Sequence, residues 1–146
     1  MYQETNKIEL KLNYIDQVSS TIFDGILFND IYYIDIIIDG INIRNNEGFE
    51  EIMIVFSEIK NSISKSGKYL IITSASGIAD DGGWEGVNVL LKNSFVKWKI
   101  EFEKNIYNYS FSKDNLLKEI SKIELKIKNI PSNKLEPKWI DFPEEW

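Results

Sequence analysis

Asp80, Asp81 and Glu85 crowd into one short stretch broken by Gly77, Gly82, Gly83 and Gly86. The stretch reads Ser74-Ala75-Ser76-Gly77-Ile78-Ala79-Asp80-Asp81-Gly82-Gly83-Trp84-Glu85-Gly86. Four chemistries compete for it. A glycine loop can cradle phosphate with its backbone N–H groups, but two aspartates oppose an anion and no nucleotide-binding pattern is present. Carboxylates suit calcium or magnesium, although the spacing is not that of an EF-hand loop. A carboxylate pair across a cleft performs acid–base work on a glycoside, yet adjacent aspartates do not define such a pair. An exposed recognition loop uses Trp84 as an aromatic anchor, with acids around it that suit a basic partner. A wide loop of purely structural role stands beside these four.

The chain has 146 residues with no cysteine and no histidine. Thiol nucleophiles, disulfides, Cys or His metal ligands and the imidazole base are thereby excluded. Ser74 and Ser76 lack an imidazole to activate them, and no serine–lysine motif is present. Catalytic, cofactor-binding and metal-ligating residues are therefore all expected to be absent. The first residues show no basic segment leading into an apolar one, and no apolar run is long enough to span a bilayer. A cytoplasmic location without membrane association is expected.

The net charge of -6 is uneven. Residues 1–66 carry five basic against eleven acidic side chains, whereas residues 67–146 carry twelve of each. An acidic surface repels phosphate backbones, which argues against nucleic acid, and it speeds encounter with a basic protein. Solubility alone also accounts for such a surplus.

The elements that must hold these residues begin with an alternating stretch. Ile8, Leu10, Leu12 and Tyr14 alternate with polar residues, the period of a half-buried strand. Residues 21–28 predict a weaker strand broken by Asp24-Gly25, and Asn29-Asp30 a tight turn. Over residues 31–38, Tyr32, Ile34, Ile36 and Ile38 share one face. Asp35 and Asp39 fall on the other, which predicts a wet face around them. Asp39-Gly40 signals a hairpin returning through Ile41 and Ile43.

Phe49, Ile52, Met53, Val55, Phe56, Ile59 and Ile63 recur at helical spacing and predict a helix over 47–64. Asn45 or Asn46 would cap it, Glu47, Glu50 and Glu51 would suit its positive end, and Gly67 would stop it. Residues 68–73 are apolar on both faces, as in a mid-sheet strand. Residues 86–111 alternate through three strands, with Val96, Trp98, Ile100 and Phe102 opposite Lys97, Lys99, Glu101 and Glu103. They predict an antiparallel meander with one wet face.

Ser112 or Asp114 caps a second helix with a stripe of Leu116, Leu117, Ile120, Ile123, Ile127 and Ile130, ended by Pro131. The expected fold is α+β, one mostly antiparallel sheet of about seven or eight strands with two helices on one face. Residues 1–130 form a single domain, and residues 131–146, with Leu135, Trp139, Phe142 and Trp146, form a tail partly packed on it.

The segment Ile71 to Phe111 resembles small bacterial immunity proteins of polymorphic toxin and contact-dependent inhibition systems. The likeness lies in the apolar strand and the small-residue loop after it, the tryptophan of Val96-Lys97-Trp98, and the aromatic pair Tyr109-Ser110-Phe111 before a helix. Cysteines often occupy the small-residue loop positions in that pattern. Ser74 and Ser76 stand there in this chain, so no metal or redox role carries over. The resemblance implies a non-enzyme that neutralises a cognate toxin, a basic nuclease-type domain, by direct contact. Asp80, Asp81, Trp84 and Glu85 are then the partner-binding candidates, joined by Asp35 and Asp39 from the acidic half. The alternative is a small-ligand or carbohydrate module with Tyr32, Tyr107, Tyr109 and Trp139 lining a cleft.

Overall fold

The computed structural model describes residues 5–16, 18, 21–23, 26–73, 86–102, 104–131 and 134–137. The architecture is α+β, with every strand pairing antiparallel. Strand β1 (Ile8–Ile15) pairs along its whole length with β4 (Ile31–Ile38), from Ile8 opposite Ile38 to Ile15 opposite Ile31. Between them β2 (Thr21–Phe23) and β3 (Ile26–Phe28) form a separate hairpin. After β4 the chain reverses at Asp39 and Gly40, whose φ angles of 53° and 81° are those of a tight hairpin turn. It returns as β5 (Ile41–Asn42) and enters a 3-10 turn at Ile43–Asn45.

The helix expected over 47–64 is a correction. Only Phe56–Ser62 (α1) is helical, and β6 (Met53–Ile54) precedes it. Gly48 lies at φ 90°, where a Cβ would come within 2.6 Å of the Phe102 ring, so the chain turns there instead of winding on. The run Ile52–Phe56 is buried without interruption. Such a run satisfies helical and strand periods alike. Asn45 and Asn46 cap no α-helix, and Glu47, Glu50 and Glu51 lie exposed ahead of β6, away from any helix dipole.

Gly67 opens β7 (Gly67–Tyr69) and does not end a helix. Residues 68–73 are also not one central strand. Leu70 and Ile71 carry the chain from β7 to β8 (Ile72–Thr73), which pairs with β6. Leu70 to Thr73 are buried throughout, which accounts for their two-sided apolar pattern.

The meander is as expected: β9 (Val87–Leu91), β10 (Phe95–Phe102) and β11 (Asn105–Ser112), followed by α2 (Lys113–Ile127). Ser112 caps α2 by accepting the Asn115 N–H. Among the described residues the strands divide into separate sheets rather than one. A four-stranded sheet runs β11-β10-β9-β7, a three-stranded sheet runs β1-β4-β5, and two short pairs complete the set.

The physical reason for the division lies at the edge of β1. There α2 supplies side chains where a neighbouring strand would supply backbone. The Ile8 N–H donates to Asn115 Oδ1 at 3.0 Å, and Asn115 Nδ2 donates to the Ile8 carbonyl at 3.1 Å. The Leu10 N–H donates to Glu119 Oε1 at 2.9 Å. Just ahead of β1, a backbone bridge from Asn6 to Phe111 ties the chain to β11 of the four-stranded sheet. Ile8, Leu10, Ile34, Ile36, Ile59, Trp98, Phe111, Leu116 and Ile120 share one core. In the tail, Leu135 bridges Tyr32, and the Glu136 N–H donates to the Tyr32 carbonyl at 2.9 Å.

Candidate functional site

Asp39 occupies the first position of the β4–β5 turn, a conformation that aspartate tolerates better than most residues. Its Oδ1 accepts the Lys7 N–H at 2.8 Å and its Oδ2 accepts Asn6 Nδ2 at 2.7 Å. The Lys7 bond, seconded by Asn6, holds this carboxyl below its ordinary pKa against a smaller desolvation effect. Asp39 is therefore ionised at neutral pH. It remains exposed, with lone pairs left for a further donor.

Beside Asp39 a cavity of about 180 Å³ is lined by Ile41, Asn42, Asn46 and Tyr109 among others. Burial pushes the Tyr109 phenol up, opposed by a hydrogen bond with Asn46, so the phenol stays neutral. Ile41 is 59% exposed at the mouth. Glu47 follows Asn46 directly, and Glu50 and Glu51 are exposed on the same segment, which the fully buried Phe49 and Ile52 anchor. A fixed anion, neutral polar groups and apolar wall suit the end of a cationic side chain, with the stem on the wall and the charge at Asp39. Among the described lining residues there is no second carboxylate to complete an acid–base pair.

Asp35, expected on a wet face, is 8% exposed. Its Oδ1 lies 2.5 Å from Arg44 Nε, and its Oδ2 accepts Asn13 Nδ2 at 2.8 Å. The Arg44 guanidinium also reaches the Ile52 carbonyl and lies 5.4 Å from the centre of the Tyr33 ring. The face carrying Asp35 is covered because Ile31 and Tyr33 pack there with Ile15, Phe28 and Met53. Asp35 thus orients Arg44 in the interior and presents no open carboxylate.

Asp80, Asp81, Trp84 and Glu85 lie outside the described residues, as does Trp139. The remaining tyrosines of the expected cleft, Tyr32, Tyr107 and Tyr109, each pack against another aromatic ring. Tyr32 meets Tyr14 at a tilt with ring centres 4.6 Å apart, Tyr107 meets Phe49 edge-on at 5.1 Å, and Tyr109 lies parallel to Phe111 at 6.1 Å. Among the described residues no group of three or more His, Cys, Asp or Glu side chains is placed to hold a metal ion. No described helix is long and apolar enough to cross a membrane.

Sequence reasoning missed a second surface. The outward residues of the four-stranded sheet form a hollow of about 700 Å³ that includes Lys68, Lys97 and Lys99. The alternation of β10 already pointed Lys97 and Lys99 outward. Charge summed along the chain concealed them, because residues 67–146 net to zero. No protein-family model matches the chain, and neither a curated protein nor a solved structure matches it.

Proposed function

We propose that this chain is a non-catalytic binding protein that neutralises a cognate bacterial toxin with a basic surface by direct contact. The observation that supports it most is the rim around Asp39. A carboxylate held ionised sits at the mouth of a small cavity, beside an exposed isoleucine and a turn bearing Glu47, Glu50 and Glu51. An inhibitor of a basic domain gains both approach rate and a specific anchor from such a surface. A lysine or arginine of the toxin enters the cavity, and the three glutamates steer the encounter.

The test is co-expression of the chain with a toxin encoded beside its gene, followed by association kinetics on the purified pair. Protection of the host and a complex whose association slows as salt rises are the expected results. The double substitution Glu47→Lys with Glu50→Lys should cut the association rate roughly tenfold. Asp39→Asn should mainly speed dissociation. A pair that does not associate, or an association indifferent to both salt and these substitutions, overturns the proposal.

A further inference from the structure

The lysine-lined hollow does not stand alone. Lys97 pairs with Leu90 on one side and Ser110 on the other, and Lys99 pairs with Asn88 and Asn108. Lys68 faces Asn88 from β7. Lys97 and Lys99 thus rise from one face of β10 with about 7 Å between them, the two-residue repeat of a strand. A second hollow, also about 700 Å³, continues past Lys97 and is lined by Lys92, Asn93, Ser94 and Lys113. Lys113 begins the 15-residue α2, whose positive end adds to the field. Lys97 belongs to both hollows, and among the described residues neither is lined by a carboxylate. Glu101 stands just outside, 3.1 Å from Lys99. In a chain of net charge -6, Lys68, Lys92, Lys97, Lys99 and Lys113 gather around these two adjoining hollows as a tract of opposite sign, with Glu101 at its edge.

We infer that this tract binds an extended peptide segment with acidic side chains at alternate positions. Alternate residues of an extended peptide point the same way about 7 Å apart, the repeat of Lys97 and Lys99. Asn88 and Asn108 flank the lysines with amide groups that pair with peptide N–H and C=O. Two adjoining hollows suit a strand-like ligand better than a compact ion. Single-stranded nucleic acid fits less well. It needs exposed ring faces for its bases, and Trp98, the large ring behind the first hollow, is 1% exposed and packs edge-on against Phe111. The acidic remainder of the surface also repels a phosphate chain extending beyond the tract. This site is separate from the Asp39 rim, and it holds whether or not that rim binds a toxin.

Fluorescence anisotropy on the full chain tests it, with a labelled peptide of about ten residues alternating glutamate and serine, up to ~35 Å when extended. Salt-sensitive binding is expected, weakened at least roughly tenfold by Lys97→Glu with Lys99→Glu and left intact by Glu47→Lys with Glu50→Lys. Lys92→Ala with Lys113→Ala gives a second variant should the first fail to fold, and it should weaken binding less. The inference is overturned if the peptide does not bind, or if the lysine variants bind it unchanged. It is overturned equally if single-stranded DNA or anionic vesicles bind more tightly than the peptide. Sedimentation showing self-association that the lysine substitutions abolish would place a second copy's acids in the tract and would likewise overturn it.

Discussion

β4 and β10 are both eight residues long and both central in their sheets, yet they treat polar side chains in opposite ways. On β10, Val96, Trp98, Ile100 and Phe102 are buried, while Lys99 and Glu101 are exposed. On β4, Ile34, Asp35 and Ile36 are buried in succession. The difference is a second layer. One face of β4 enters the main core, and the other is covered by the smaller cluster of Ile15, Phe28, Ile31 and Met53. The outward face of β10 has no comparable apolar cover among the described residues, so its lysines stay in water. A charged residue on a strand is thus open to a partner only where its face lacks another layer, and alternation within the strand does not report that.

The sharpest break of this comparison removes the partner of Asp35. Arg44→Met leaves a buried carboxylate without its guanidinium and should cost about 3–5 kcal/mol in urea unfolding, while Lys99→Met on the wet face of β10 should stay within about 0.5 kcal/mol. Equal effects at the two positions would refute the contrast. A smaller effect is expected at the edge of β1. Glu119→Ala leaves the buried Leu10 N–H without its acceptor, costing about 1–3 kcal/mol, and should speed hydrogen exchange at that amide; Glu119→Gln should retain most of the stability.

The smallest effect concerns Asp39, whose carboxyl is exposed. Its pKa is lower in the folded chain than in the unfolded one, so its contribution is complete above the ordinary carboxylate pKa. That contribution fades as pH falls through the lowered value. Asp39→Asn should cost under about 1 kcal/mol at neutral pH, and the gap from the parent should close below about pH 4. A gap that widens on acidification would show the sign to be wrong.

The meander and α2 were legible because each keeps one wet face, so the period survives in the sequence. Ser112 as the cap of α2 and Asp39-Gly40 as a turn were legible for a local reason, since their chemistry involves only near neighbours. Glu47 to Val55 was not. Phe49 and the unbroken run Ile52 to Phe56 are buried, and an uninterrupted buried run fits helical and strand periods alike. Of the candidate site, Asp39 was legible by position, although its bonds to Asn6 and Lys7 join residues distant in the chain. Asp35 was legible only as a charge on the face opposite the core, and its burial was not.

Composition by itself excluded thiol and imidazole chemistry, and local pattern determined the hairpin, the meander and the last helix. Tertiary structure decided that the strands divide into separate sheets, because whether the edge of β1 meets another strand or the side chains of Asn115 and Glu119 depends on where α2 docks. It also decided which charges face water. Lysines scattered from Lys68 to Lys113 become one tract only when three antiparallel strands lay them side by side, a neighbourhood that linear order does not contain.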